Sequence, residues 1–144
     1  MKDAKAERLD EIIASHSRRE GPLLPILHDV QAQFGCVDEA ARRHIAAALN
    51  LTRAEVHGVV SFYHDFTAAP VGKPVVKVCR AEACKARGVE DLMEAAQAAA
   101  GERVEIETVY CLGLCSVGPN AMIGDAVHAR LDTPRLTALI KDVA

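Results

Sequence analysis

Apolar residues in the first half of the chain recur every three or four positions, in four successive stretches. Between residues 3 and 17, Leu9, Ile12, Ile13 and His16 stand at helical spacing among charges, the pattern of an amphipathic helix. Gly21 and Pro22 restart the chain. Leu23, Ile26, Leu27, Val30 and Phe34 then form a second stripe, with Pro22 at its opening and Gly35 as its stop. Pro25 lies close enough to that opening for its missing N–H to have no helical partner to lose. Asp38 is expected to cap a third helix that turns Ala41, Ile45, Ala48 and Leu49 inward and ends near Asn50. Thr52 and Glu55 have capping-box spacing, and Leu51 with Val56 fits the accompanying hydrophobic staple. They open a fourth helix through Val59, Val60 and Tyr63, in which Gly58 is expected to mark a close helix contact.

The pattern changes after the turn-rich segment TAAPVGKP at 67–74, which marks a boundary between a helical bundle over 1–70 and a second domain over 71–144. Val75, Val76 and Val78 make a short strand ending at Cys79. Val89, Leu92, Met93, Ala96 and Ala100 then repeat at helical spacing up to Gly101. VEIETVY, 104–110, alternates as a half-buried strand does, and AMIGDAVHARL reads as a hairpin about Gly124 and Asp125. Thr133 and Pro134 are expected to cap a last helix with Leu136, Leu139, Ile140 and Val143 on one face. The expected fold class is α+β: a small helical bundle followed by a β-α-β, β-β-α domain of thioredoxin-like order.

Composition narrows the function. Half of the 144 residues are hydrophobic, yet the chain has two Tyr, three Phe and no Trp, so its cores are aliphatic and alanine-rich. A formal charge of −3 with interspersed signs offers no basic stripe for nucleic acid. The N-terminal stretch lacks the apolar segment of a secretory signal, and no apolar run is long enough to span a bilayer, so a cytoplasmic protein without direct membrane insertion is expected. Thiols stay reduced there, which turns the five cysteines toward metal or redox chemistry.

Four of the five fall in two pairs. Cys79 and Cys84 are spaced C-x4-C, a gap of 26 residues follows, and Cys111 and Cys115 are spaced C-x3-C. Two strands joined by one crossover helix run parallel, so their C-terminal ends emerge at one sheet edge and bring the pairs together. Cys84 is expected near the start of the crossover helix, where the dipole favours anionic sulfur. Lys77, Arg80, Lys85 and Arg87 flank the first pair. Two ferric ions, two sulfides and four thiolates carry a charge of about −2, and about −3 after reduction, which nearby cations offset. Gly113 and Gly118 are expected to bring backbone N–H groups to sulfur. The spacing favours a [2Fe-2S] cluster, with tetrahedral zinc as the main competitor. Cys36, remote in sequence, is expected to be a packed or surface thiol, and His57 and His64 to be helix-surface residues. No phosphate-cradling glycine loop or dinucleotide fingerprint occurs, so the chemistry expected of the chain is one-electron transfer and not hydride transfer.

These residues resemble a known family. GVVSFYHDF, PVGKPVVKVC, the C-x4-C pair with Gly88 downstream, and YCLGLCSVGPNAMI look like the small thioredoxin-like [2Fe-2S] subunit of NADH dehydrogenases, known as the 24 kDa subunit. The same module occurs in NAD-reducing hydrogenases and in the gamma subunit of NAD-dependent, molybdenum-containing formate dehydrogenases, which CRAEAC and the short gap resemble more. The resemblance implies that Cys79, Cys84, Cys111 and Cys115 ligate the cluster. It also implies that FMN and NAD(H) belong to a partner flavoprotein, that a larger iron–sulfur/molybdenum subunit completes the complex, and that the chain alone is not catalytic.

Overall fold

The structure is a computed structural model that describes residues 4–143. The chain divides into two compact units, Met1–Val71 and Gly72–Ala144.

The first unit holds four helices, α1 (Ala4–Ser15), α2 (Leu23–Phe34), α3 (Glu39–Ala48) and α4 (Arg53–Phe62). The start of the first stripe, at residue 3, lies outside the described residues. Each helix end has a local cause. Gly35 closes α2 in the left-handed region at φ 72°, which a residue without Cβ adopts freely. Asp38 caps α3 by accepting from the Ala41 N–H at 2.9 Å. The Thr52–Glu55 capping box at α4 is complete in both directions. Leu9, Ile12, Ile26, Leu27, Val30, Ile45, Val56 and Val60 fill the core, each full burial of such a side chain contributing about 1.5–3 kcal/mol. Two expectations fail. In α3 it is Ala46 that is buried, while Ala48 is exposed, because the helix stops at Ala48 and its inner stripe runs through Ala41 and Ile45. Gly58 is exposed with open space where a Cβ would stand, so it marks no close contact.

The second unit is a four-stranded sheet in the order β2-β1-β3-β4. β1 (Val75–Cys79) runs parallel to β2 (Glu105–Val109), with Val75 opposite Glu105 and Cys79 opposite Val109. β3 (Ala121–Ile123) is antiparallel to β1 and turns through Gly124 and Asp125 into β4 (Ala126–His128). The crossover contains two helices. A five-residue turn, α5 (Glu82–Ala86), carries Cys84, and α6 (Val89–Ala100) begins only after Gly88, at φ 88°. Val89, Leu92, Ala96 and Ala100 of α6 share one core with Val76 and Val78 of β1 and with Leu136 and Ile140 of α7 (Thr133–Val143). β2 does not alternate cleanly, since an edge strand half-exposes both faces. At α7 the side chain that caps is Asp132, which accepts from the Arg135 N–H at 2.9 Å; Thr133 is already helical.

This is the β-α-β, β-β-α arrangement of a thioredoxin-like fold. No helix among the described residues is long and apolar enough to cross a membrane.

Candidate metal centre

The parallel pairing of β1 with β2 decides where the cysteines go. Cys79 is the last residue of β1, and its N–H donates to the Asn120 carbonyl at 3.0 Å, just before β3 begins. The next N–H, of Arg80, donates to the Val109 carbonyl at 2.9 Å, so the strand end is pinned on both sides. Cys111 lies two residues beyond β2, with φ 79°. That conformation is unfavourable by about 1 kcal/mol or more for a residue with a Cβ, and the loop is tied down around it. Gly113 N–H donates to Cys111 Sγ at 3.4 Å, and Cys111 N–H donates to Cys79 Sγ at 3.3 Å. A 3-10 turn, Cys115–Val117, follows. It is held from outside by Arg130 N–H on the Val117 carbonyl at 2.7 Å and Leu131 N–H on that of Pro119 at 3.0 Å.

All four sequence-predicted cysteines meet at this edge, as two pairs of different exposure. Cys79 and Cys84 are buried, Cys111 and Cys115 exposed. Cys111 Sγ and Cys115 Sγ stand 3.4 Å apart, close to the ~3.8 Å between two sulfurs on a tetrahedral ion with bonds of about 2.3 Å. Cys79 and Cys84 act on each other through their sulfurs, Cys115 acts electrostatically on Cys84, and Cys79 does so on Cys115. Among the described residues no three His, Cys, Asp or Glu side chains close on a single ion; the donors are two thiol pairs. A [2Fe-2S] cluster takes two protein ligands at each iron, and the four-thiol donor set fits it.

The electrostatics of each pair follow from its surroundings. Burial opposes ionisation of Cys79, but the N–H groups of Ala81 and Cys111, the Cys84 thiol and the Leu112 N–H outweigh it and hold the thiol below its ordinary range. Cys84 moves up, through burial first and then through the neighbouring Cys79 sulfur. Cys115 is pushed up by its hydrogen bond to Cys111 and by the charge of that sulfur. Two thiols in contact resist a second negative charge, and a bound metal supplies the positive charge that lets both ionise.

Several expectations change in detail. Cys84 belongs to a separate short turn and not to the crossover helix, because Gly88 breaks the two apart, so no long-helix dipole acts on it. The flanking cations are partly compensated: Arg80 makes a two-pronged ion pair with Glu90, Lys85 faces Glu82 at 3.8 Å, and Lys77 also has a partner. Gly113 does supply an N–H to sulfur, but Gly118 acts through space. A Cβ on Gly118 would stand 2.9 Å from Cys84 Sγ and 3.3 Å from Arg87 Cδ. Asn120 had no role in the sequence pattern. It is buried and bonded into the cysteine loops, and a lone asparagine in a turn-rich stretch carries no sequence signal of that. Cys36 is a buried thiol of the first unit, and His57 Nδ1 lies 3.2 Å from Arg42 Nη1 on the bundle.

Comparison with known proteins gives a consistent result. The family model described as thioredoxin-like [2Fe-2S] ferredoxin matches residues 9–144. The NADP-reducing hydrogenase subunit HndA of Solidesulfovibrio fructosivorans is 28% identical over 92% of this chain and 82% of its own length. NADH-quinone oxidoreductase subunit 2 of Thermus thermophilus is 31% identical over 96% and 83%. An NADH-quinone oxidoreductase subunit of Escherichia coli K12 is 27% identical over 96% and 89%. A crystal structure of an NAD+-reducing [NiFe]-hydrogenase in the air-oxidized state superposes with a TM-score of 0.70 at 26% identity, over 84% of this chain. The chain spans only 22% of that hydrogenase chain.

Proposed function

The chain belongs to the thioredoxin-like [2Fe-2S] ferredoxin family, and from that premise we propose that it is the electron-transfer subunit of a cytoplasmic NAD-linked oxidoreductase, an NAD-dependent formate dehydrogenase. A [2Fe-2S] cluster is its cofactor, and when bound it supplies one-electron chemistry. Cys79, Cys84, Cys111 and Cys115 are its ligands in this reading. The observation that carries it is their convergence as two thiol pairs at one sheet edge.

The chain's own residues divide the work. Cys79 and Cys84 anchor the inner side, where burial excludes water. Cys111 and Cys115 present the outer side, beside Tyr110, which is 74% exposed. The Gly113 N–H, and the N–H groups of Ala81, Cys111 and Leu112 around Cys79, stabilise negative charge on sulfur. The chain has no dinucleotide fingerprint, so hydride exchange with NAD(H) belongs to a flavin-bearing partner that docks where Cys111 and Cys115 are exposed. CRAEAC and the short gap between the pairs support the formate dehydrogenase assignment. The similarity to a hydrogenase subunit and to subunits of NADH-quinone oxidoreductases favours a second reading, the equivalent subunit of one of those complexes.

Affinity purification of the tagged chain from its native cells tests the assignment. Recovery with a flavoprotein and a molybdenum subunit is expected. Recovery with hydrogenase or quinone-reducing subunits refutes it in favour of the second reading. For the ligands, Cys79→Ser or Cys111→Ser is expected to abolish or severely disturb the visible spectrum while Cys36→Ser leaves it unchanged; iron loss in the Cys36 variant contradicts the assignment.

A further inference from the structure

Asn120 is the only fully buried polar side chain among the described residues, at 1% exposure. An amide withdrawn from water is destabilising unless hydrogen bonds replace those it gave up. Its Nδ2 donates to the Leu114 carbonyl at 2.8 Å and to Cys84 Sγ at 3.7 Å. The first bond fixes the orientation of the amide, because the flipped form would set Oδ1 against the Leu114 oxygen, acceptor against acceptor. The other N–H is thereby aimed at the sulfur. Oδ1 has no partner, and a leucine of similar size would fill the same space without orphaning an acceptor, so packing alone does not account for an amide here. The main-chain oxygen of the same residue accepts from Cys79 N–H at 3.0 Å. One residue therefore touches the strand end that carries Cys79, the sulfur of Cys84, and the carbonyl immediately before Cys115.

We propose that Asn120 is a positioning residue that sets the reduction potential of the cluster through its N–H···S bond to Cys84, while its bond to Leu114 fixes the loop that presents Cys111 and Cys115. The inference rests on Cys84 being a ligand. A donor at a thiolate stabilises negative charge, reduction adds negative charge, and the bond is therefore stronger in the reduced form, which raises the potential. The other N–H donors described at the cysteine sulfurs, the main-chain N–H of Asn120 on Cys84 among them, are backbone groups, which substitution leaves in place.

The test is an optical redox titration of the full chain with its cluster loaded. Asn120→Leu removes the donor without adding charge and is expected to lower the midpoint potential of the protein that carries its cluster. Asn120→Asp, once ionised, removes the donor and adds a negative charge, so a larger lowering is expected. An unchanged potential in a fully loaded Asn120→Leu protein overturns the proposal. A wild-type measurement covers the case in which neither variant takes up iron. Protein carrying 15N in its asparagine side chains is reduced and examined by pulsed EPR; a weak coupling to a single 15N is expected, and its absence overturns the proposal. Asn50 is the only other asparagine, and the coupling must survive Asn50→Gly, its loss there also overturning the assignment. Cys84→Ser separates this inference from the reading beneath it. A normal spectrum in that variant refutes Cys84 ligation, whereas an altered spectrum together with an unchanged Asn120→Leu potential refutes the tuning alone.

Discussion

At the scale of single residues the two glycines Gly118 and Gly58 show why a residue type carries no role by itself. Gly118 has φ −66°, which any L-residue adopts, so an alanine there meets no backbone penalty. What it meets is Cys84 Sγ at 2.9 Å and Arg87 Cδ at 3.3 Å. The arginine can swing away, but the buried cysteine beneath it has little room. Gly118→Ala is expected to destabilise the protein by about 1–3 kcal/mol, as overpacking does, and to lower iron content by displacing Cys84, a ligand in the proposed assignment. Gly58→Ala, on an exposed helical position with open space around it, is expected to stabilise by about 0.5–1 kcal/mol through helix propensity. Thermal melts of both variants, with iron assays of the first, check the pair. A fully loaded Gly118→Ala protein of wild-type stability contradicts the steric role. The motif around Gly118 was visible in the sequence. Its mechanism was not, because a missing Cβ leaves no trace until the opposing side chain is known.

Elements were more legible where their signals are local. The Thr52–Glu55 box and the Asp38 cap depend on atoms three residues apart, and both stand in the structure. Parallel pairing of β1 with β2 followed from a single crossover. What was missed was local as well: the crossover helix breaks where Gly88 takes φ 88°, and Asp132, one residue before Thr133, caps α7 by accepting from the Arg135 N–H. The Asp38 cap also predicts a pH response. Its hydrogen bond to Lys5 and the Ala41 N–H hold its carboxyl below the ordinary value. A carboxyl depressed in the folded state contributes stability that is fully present above the unfolded value of about 3.9 and is lost as pH falls through the lower folded value. Asparagine caps as well as aspartate, so Asp38→Asn isolates the charged contact. The variant is expected to melt below wild type at neutral pH, with the gap closing as the solution is acidified. The pair is partly exposed, so added salt narrows the gap at neutral pH too. A gap independent of pH contradicts a role for the charge.

At the scale of the whole molecule, the feature on which the proposed function turns is the unequal exposure of the two cysteine pairs. Within the second unit, a buried pair behind and an exposed pair in front let a centre be held away from water on one side and reached by a partner on the other. That division could not be read from the spacing, which treats the four thiols alike. The convergence could, because it follows from strand direction. The cluster is also the point on which the sequence left zinc open, and metal identity follows from direct analysis. The most direct test is therefore iron, zinc and acid-labile sulfide analysis of the full-length protein, purified without added metal, together with its visible spectrum before and after reduction by dithionite. Two irons and two sulfides per chain, with visible absorption that bleaches on reduction, are the expected result. A colourless protein carrying stoichiometric zinc would contradict it.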